Sequence, residues 1–354
     1  MSRALEPSVK RALQDGNHRE SFERISAVLD SSHDAYLEIE ILPKSHVPGV
    51  DTYVLQDGEY IGIPKLRLVQ ASLHARQILN GVLLSPTTTT TNSSRSIREH
   101  DGDIMRATAV MLLMDSEHLT AANMRKRVLG RGRGSGSGRG APLDEEVRRR
   151  RLLTREAFLV NSLLRSRLHR HTKSPVLWNH KRWLLRQLRD CETPIRLSHE
   201  FEEVICVAAE RHARNYYAWT YARDVIAMEV ASSSSSTRRP STYVVDSMLP
   251  IVTRWCRLHH HDISGWSFLL HLVGLFPETA QGVAEQTLLL VEKFKWGNES
   301  VWHFLRNLAM MPILQTRKNR IREVWTRMKL SADGDESSTD AVILDRAAAW
   351  AGFS

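Results

Sequence analysis

Apolar positions spaced three and four residues apart run along most of this chain, and they predict a molecule built almost wholly of helices. At the start, Leu13, Phe22, Ile25, Val28 and Leu29 form such a stripe. From Tyr36 the period shortens to two, with Leu37, Ile39 and Ile41 alternating with polar residues. Asp57–Gly58 then stands between two β-prone runs in YVLQDGEYIGI, the dipeptide that suits a hairpin turn. This region reads as a hairpin or as an extended loop covering one end of the helices. A helix is predicted over Leu66–Leu84, ended by Pro86, and PTTTTTNSSRS after it reads as a linker.

Near Asp103 a helical array begins, with each unit pairing an apolar first helix with a tryptophan-bearing second one. The first helices show Phe158, Leu159, Leu163 and Leu164, then Val204, Ile205, Ala208 and Ala209. Later units give Val245, Met248, Leu249 and Val252, then Leu288, Leu289 and Val291. The second helices carry Trp178, Trp219, Trp266 and Trp302, at intervals of 41, 47 and 36 residues. Arg182, Arg223 and Arg306 follow three of them at i+4, one turn along the same face, where guanidinium and indole can touch. A period near forty residues means stacked helical hairpins that bury their apolar faces only against their neighbours. The expected fold is therefore all-α, a right-handed superhelix of hairpins resembling a tetratricopeptide solenoid. The expected partition is an N-terminal region over 1–100, repeats over 103–310 with inserts at 130–140 and 231–241, and capping helices over 311–354. Ala341–Trp350, with Val342, Ile343, Leu344 and Trp350, reads as the closing helix, preceded by a solvated acidic loop, ADGDESSTD.

Composition narrows the function classes. The chain has 354 residues, 25% of them charged, with a formal net charge of +9. Part of that surplus sits in Arg125–Arg151, which draws anionic partners without naming one. No apolar run approaches the roughly 18 residues a membrane span needs, the longest candidate being Ala107–Met114, and the N-terminus has no secretory pattern. Cys191, Cys206 and Cys256 are too few and too scattered for a disulfide framework or a zinc site, so a reducing, cytoplasmic setting is expected. Phosphate-cradling, zinc-protease and nucleophile-elbow motifs are missing, which argues against a self-contained catalytic centre.

The segments LWNHKRWLL and NYYAWTYAR resemble the repeats of protein prenyltransferase alpha subunits, whose pattern is roughly N-x-x-x-W-x-x-x-R followed by apolar residues. The resemblance covers about Asp103–Leu308 in five units. In the first of these, MLLMDSEHLTAANMRKRVL, Ala122 takes the tryptophan position; in the fourth, Leu270 takes the arginine position. The Asp262-Ile263-Ser264-Gly265 turn and EEVICVAAERHARNYYAW resemble in particular the divergent repeat-containing members. The resemblance implies a crescent of helical pairs wrapping a separate beta subunit. That subunit would carry the zinc ion, the lipid pocket and most of the chemistry, with no cofactor in this chain. The implied reaction moves an isoprenyl group, geranylgeranyl in the favoured reading, from its diphosphate to a cysteine near a substrate protein's C-terminus.

One family contact carries over by position. In the family turn K-N-Y-x-A-W, the Lys and Tyr reach the isoprenoid diphosphate; here the turn reads Arg214-Asn215-Tyr216-Tyr217-Ala218-Trp219. Arg214 and Tyr216 are thus the implied diphosphate contacts. Independently, a helix N-terminus favours anions, and Asn215 is a suitable N-cap. A cation beside that positive end is mildly unfavourable unless an anion visits. The bland alternative is a solvated Arg214 paired with Glu210.

The remaining features weigh towards structure. The four tryptophans read as packing residues, and the three arginines as hydrogen-bonded links between units or contacts with a partner subunit. His259-His260-His261 would point about 100° apart on a helix and have no acidic or cysteine ligand nearby in sequence, so they read as the polar turn before Trp266. GRGRGSGSGRG lacks the interleaved aromatics that stack on bases, which leaves nucleic acid a weak alternative. A non-enzymatic helical-repeat adaptor is the main rival to the enzyme-subunit reading.

Overall fold

The computed structural model describes residues 7–30, 35–49, 51–84, 94–131, 143–193, 196–233, 240–332 and 339–353. Most of the linker and of the 130–140 insert, the middle of the 231–241 insert, and residues 333–338 of the acidic loop lie outside these. The chain divides into two compact units, residues 1–195 and 196–354, a border the sequence pattern does not mark. Both are built of stacked helices, so the all-α expectation holds.

In the first unit, α1 (Pro7–Asp15) and α2 (His18–Asp30) precede a small sheet of β1 (Glu38–Leu42), β2 (Leu55–Asp57) and β3 (Tyr60–Pro64). Helices α3 (Lys65–Leu84), α4 (Ser94–Met114), α5 (Leu119–Gly130), α6 (Leu143–Arg165) and α7 (Pro175–Asp190) follow. The expected hairpin forms: β2 and β3 pair antiparallel, and Gly58 takes the positive φ of 59° that the turn requires. β1 adds to β3 in parallel, so the sheet order is β1-β3-β2. Backbone N–H groups beside and within β1 are met by two serines one turn apart on α6. Leu37 N donates to Ser162 Oγ and Ile39 N to Ser166 Oγ, both at 3.0 Å. A sheet edge that would otherwise invite pairing is thus closed by a helix.

A buried charged network locks α5, α6 and α7 together. Arg125 and Glu156 pair through two hydrogen bonds, of 2.8 and 2.5 Å. His180 Nε2 lies 2.6 Å from the same carboxylate, and Arg125 also donates to Thr108 and to the Met105 carbonyl. All three principal partners are buried. Burial alone would raise the Glu156 carboxyl, but Arg125 and the bond to His180 outweigh it and hold the group at about 2. Burial pushes His180 below the ordinary histidine value despite that carboxylate.

In the second unit, α8 (Leu197–Glu200), a π-helical stretch (Phe201–Ile205) and α9 (Cys206–Arg211) run on as one helix. α10 (Tyr216–Ser233), α11 (Pro240–Leu258), α12 (Ile263–Leu275), α13 (Ala280–Phe294), α14 (Glu299–Leu308), α15 (Lys318–Ala332) and α16 (Thr339–Ala351) complete it. Second helices stack in a row, α10 on α12, α12 on α14, α14 on α16, while α15 packs on α13. The core stripes match the sequence reading with three corrections. Leu289 is 59% exposed, Val342 44% and Trp350 59%. α16 instead buries Ala341, Ile343, Leu344, Ala347, Ala348 and Ala351, a largely small-residue face that lets its backbone approach α14 closely. Trp350 lies outside that face, under the Arg306 guanidinium at 5.7 Å.

The buried network sets the acid response of the first unit. Folding depresses both groups, so the unfolded chain binds more protons: at His180 from about pH 6.5 downwards, at Glu156 from about pH 4.5 downwards. Their stabilisation is complete above those values and is lost progressively as the pH falls towards about 2. Unfolding by urea at a series of pH values is expected to show this decline. Glu156→Gln, which leaves the Arg125 charge buried without its partner, is expected to cost about 3–5 kcal/mol at neutral pH.

Candidate functional site

The turns that open the tryptophan helices share one construction. Ser174, Asn215, Asp262 and Asn298 stand four residues before Trp178, Trp219, Trp266 and Trp302, and each side chain accepts from a backbone N–H of the first helical turn. All four indoles are fully buried. Three of them donate their N–H to the carbonyl six residues earlier: Trp178 to Thr172 at 2.9 Å, Trp266 to His260 at 3.1 Å, Trp302 to Trp296 at 2.9 Å. The helix entry is thereby pinned to the loop that leads into it. In the first repeat His118 is the cap and Ala122 occupies the tryptophan position, buried, so the register holds while the indole clamp is lost.

A second set of bonds ties three of these turns, those of Ser174, Asp262 and Asn298, to the turn of the preceding hairpin. Ser174 Oγ donates to the Ser116 carbonyl at 2.9 Å. Asp262 Oδ2 accepts from Arg214 N at 2.6 Å. Asn298 Nδ2 lies 3.0 Å from His260 Nδ1, and Ser300 Oγ donates to the His261 carbonyl. The three histidines occupy the turn expected for them. His259 stacks on Trp255 at 4.3 Å and His260 on Trp296 at 4.6 Å, so they serve packing. Gly265 is required beside Trp255, since a Cβ there would stand 2.4 Å from the indole.

The arginines link neighbouring repeats where their contacts are described. Arg223 donates to the carbonyls of Trp219 and Ser267, at 3.3 and 3.2 Å, and lies over the Phe268 ring at 5.6 Å. Arg306 pairs with Glu299 at 3.2 Å and covers Trp350. The described guanidinium–ring contacts of these two arginines are therefore with the next helix of the row, not with the indole one turn back. Arg182 is half-buried on α7, and Leu270 half-buried on α12. Trp219 stacks on Phe268 and Trp266 packs on Phe304, so each of these two meets the ring two residues past the tryptophan of the next repeat.

The turn before Trp219 departs from its sisters. Arg214 has φ 57°, in the left-handed region that arginine rarely adopts. Tyr216 N donates to the Arg214 carbonyl at 2.9 Å, an unusually tight turn. The Ala213 carbonyl, counterpart of the indole acceptors elsewhere, faces the His212 ring at 3.0 Å instead. Trp219 Nε1 is consequently buried with no acceptor among the described residues. Asn215 is the N-cap expected, buried, accepting from Ala218 N and donating to the Ala208 carbonyl. The sequence-implied pair, Arg214 and Tyr216, emerges on the surface of this one turn at the N-terminus of α10, with Tyr216 52% exposed and in ring contact with Tyr217 at 4.3 Å. No ion pair joins Arg214 to Glu210. The helix leading in carries the π-helical stretch, another costly local geometry.

Residues 164–294, which include this turn, match the ECM9 middle domain family. A relative named protein prenyltransferase alpha subunit repeat-containing protein 1, from Danio rerio, is 25% identical over 197 residues. That alignment covers 51% of this chain and 39% of the relative, so the chain spans about two fifths of the relative's length. The chain distantly resembles the repeat-containing prenyltransferase alpha proteins.

Other chemistry is sparse in the described residues. No group of three or more His, Cys, Asp or Glu side chains gathers there in a way that could hold a metal ion. Among the described residues no helix is long and apolar enough to cross a membrane. The three cysteines are unpaired and buried; burial pushes the Cys206 thiol up to about 12 and Cys256 well above the ordinary thiol value, so neither supplies a thiolate. The net charge of +9 belongs entirely to residues 1–195, with 31 Lys and Arg against 22 Asp and Glu. Residues 196–354 balance at 18 of each. The cation at the Arg214 turn is therefore a local feature rather than part of a basic field.

Arg214→Gly removes the left-handed penalty, because glycine adopts positive φ freely. Urea unfolding is expected to show this variant more stable by about 1 kcal/mol, whereas Arg214→Ala, which keeps a Cβ, gains little.

Proposed function

We propose that this chain is the alpha half of a heterodimeric protein prenyltransferase acting in the cytoplasm. In this reading a zinc-bearing beta subunit holds the lipid and the acceptor, and this chain supports it while Arg214 and Tyr216 meet the diphosphate. The observation that carries the reading is the Arg214 turn: an arginine kept at φ 57° and exposed at a helix N-terminus, in the position of the family's diphosphate lysine. Strain of this kind persists where a side chain's placement matters.

The chemistry asks little else of this chain. As the thiolate sulfur of the acceptor cysteine bonds to the isoprenyl carbon, the carbon–oxygen bond breaks and the electron pair leaves with diphosphate. Negative charge builds on that leaving group. A fixed guanidinium, a phenol hydroxyl and the α10 N-terminus all stabilise it, and the arginine fork suits phosphate oxygens. Geranylgeranyl is the lipid proposed; its recognition would fall to the beta subunit.

The adaptor reading draws on Ala122 and Leu270, two repeat positions where the family residues are gone. Co-expression with a protein prenyltransferase beta subunit separates the two. The enzyme reading expects a stable complex that moves geranylgeranyl from its diphosphate to a protein ending in a cysteine motif. Failure to assemble under gentle conditions favours the adaptor. In the complex, Arg214→Ala is expected to slow transfer about a hundredfold, near 3 kcal/mol, with assembly intact; unchanged turnover removes Arg214 from the mechanism.

A further inference from the structure

We propose that Asp262 is a positioning residue that holds the Arg214 turn in its left-handed, outward-facing form, and that without it the turn relaxes to the form of its sisters. The internal repeats supply the comparison. At the turns before Trp178, Trp266 and Trp302, the loop carbonyl takes the indole N–H. None of the residues just ahead of those three caps has positive φ. At the turn before Trp219 the carbonyl is turned away, the indole is unpaired, and the residue ahead of the cap is left-handed. Something must compensate for two unfavourable features at one place.

Asp262 is placed to do so. As the N-cap of α12 it accepts through Oδ1 from Ser264 N at 2.9 Å, Gly265 N at 3.4 Å and the Ser264 hydroxyl. Its other oxygen takes Arg214 N at 2.6 Å, a short charge-assisted bond. In the other described turn-to-turn contacts, the cap side chain meets a carbonyl or a ring; here a carboxylate meets a backbone N–H. Only a residue that accepts on both oxygens can cap α12 and hold Arg214 N together. The next hairpin thus dictates the conformation of the turn before it, and no ion pair joins the Asp262 carboxylate to the Arg214 guanidinium.

The account deepens the diphosphate reading, and two arms keep its failure distinct from that reading's. Asp262→Asn retains an acceptor for the cap but presents an amide donor to Arg214 N; Asp262→Ser, a cap too short to reach it, is the second route should the first variant not fold. Indole ¹⁵N–¹H spectra of the full chain, with peaks assigned by Trp→Phe variants, report the turn directly. Wild-type Trp219 is expected upfield of Trp178, Trp266 and Trp302 and faster to exchange, and either variant is expected to bring it downfield among them. A folded variant whose Trp219 signal stays in place overturns the proposal. In the complex with the beta subunit, Asp262→Asn is expected to slow transfer, and to slow it no further once Arg214 is already alanine. Equal slowing in both backgrounds also overturns the positioning role. If no transfer occurs with any variant the diphosphate reading fails, and the indole spectra still decide whether Asp262 sets the turn.

Discussion

A hydrogen bond from a buried indole to the carbonyl six residues before it governs the order of these hairpins. It forms at Trp178, Trp266 and Trp302, and it fixes the angle at which each loop delivers its chain into the helix. A cap four residues earlier sets the helix start, and its second contact reaches the preceding turn. Hairpins that cannot bury their apolar faces alone are in this way registered to each other by polar contacts, and the aromatic packing follows. Trp219 lies on Phe268 and Trp266 on Phe304 because the caps have already set the spacing.

Against that regularity the turn at Arg214 is informative because its neighbours show what it gives up. It forgoes the indole bond and carries arginine where glycine would be easier, while retaining its cap and its burial. Local structure, packing and chemistry therefore converge on one turn of the second unit. The residues that project from it are a cation and a phenol, an arrangement suited to an oxyanion rather than to covalent work.

Much of this was legible in the sequence, and for physical reasons. Helical periodicity, the recurring tryptophan and the N-cap residues are local signals, so the hairpins, Asn215 as a cap and the Asp57–Gly58 turn could be read directly. What escaped depends on residues distant in sequence. The Arg125–Glu156–His180 network joins three helices whose members are 31 and 24 positions apart, and no periodicity marks them. β1 finds its partner in β3 across an intervening stretch, and serines on α6 complete its edge. Leu289, Val342 and Trp350 look like core by hydropathy, yet the small residues of α16 and the packing of α13 turn them outwards. Asp262 reads from the sequence as part of a turn and no more, until the structure places one oxygen at the α12 cap and the other on Arg214 N.

The central claim is that indole-to-carbonyl bonds hold the turns of this array and that one of them is deliberately open. Replacing each repeat tryptophan in turn by phenylalanine, and measuring unfolding free energy in urea, tests it directly. Phe at positions 178, 266 and 302 forfeits a hydrogen bond and strands the carbonyl that accepted it, which adds about 1–3 kcal/mol to the loss of ring volume. Phe at position 219 forfeits no bond and is expected to be the mildest of the four. Four equal losses, or the largest loss at Trp219, would contradict the account.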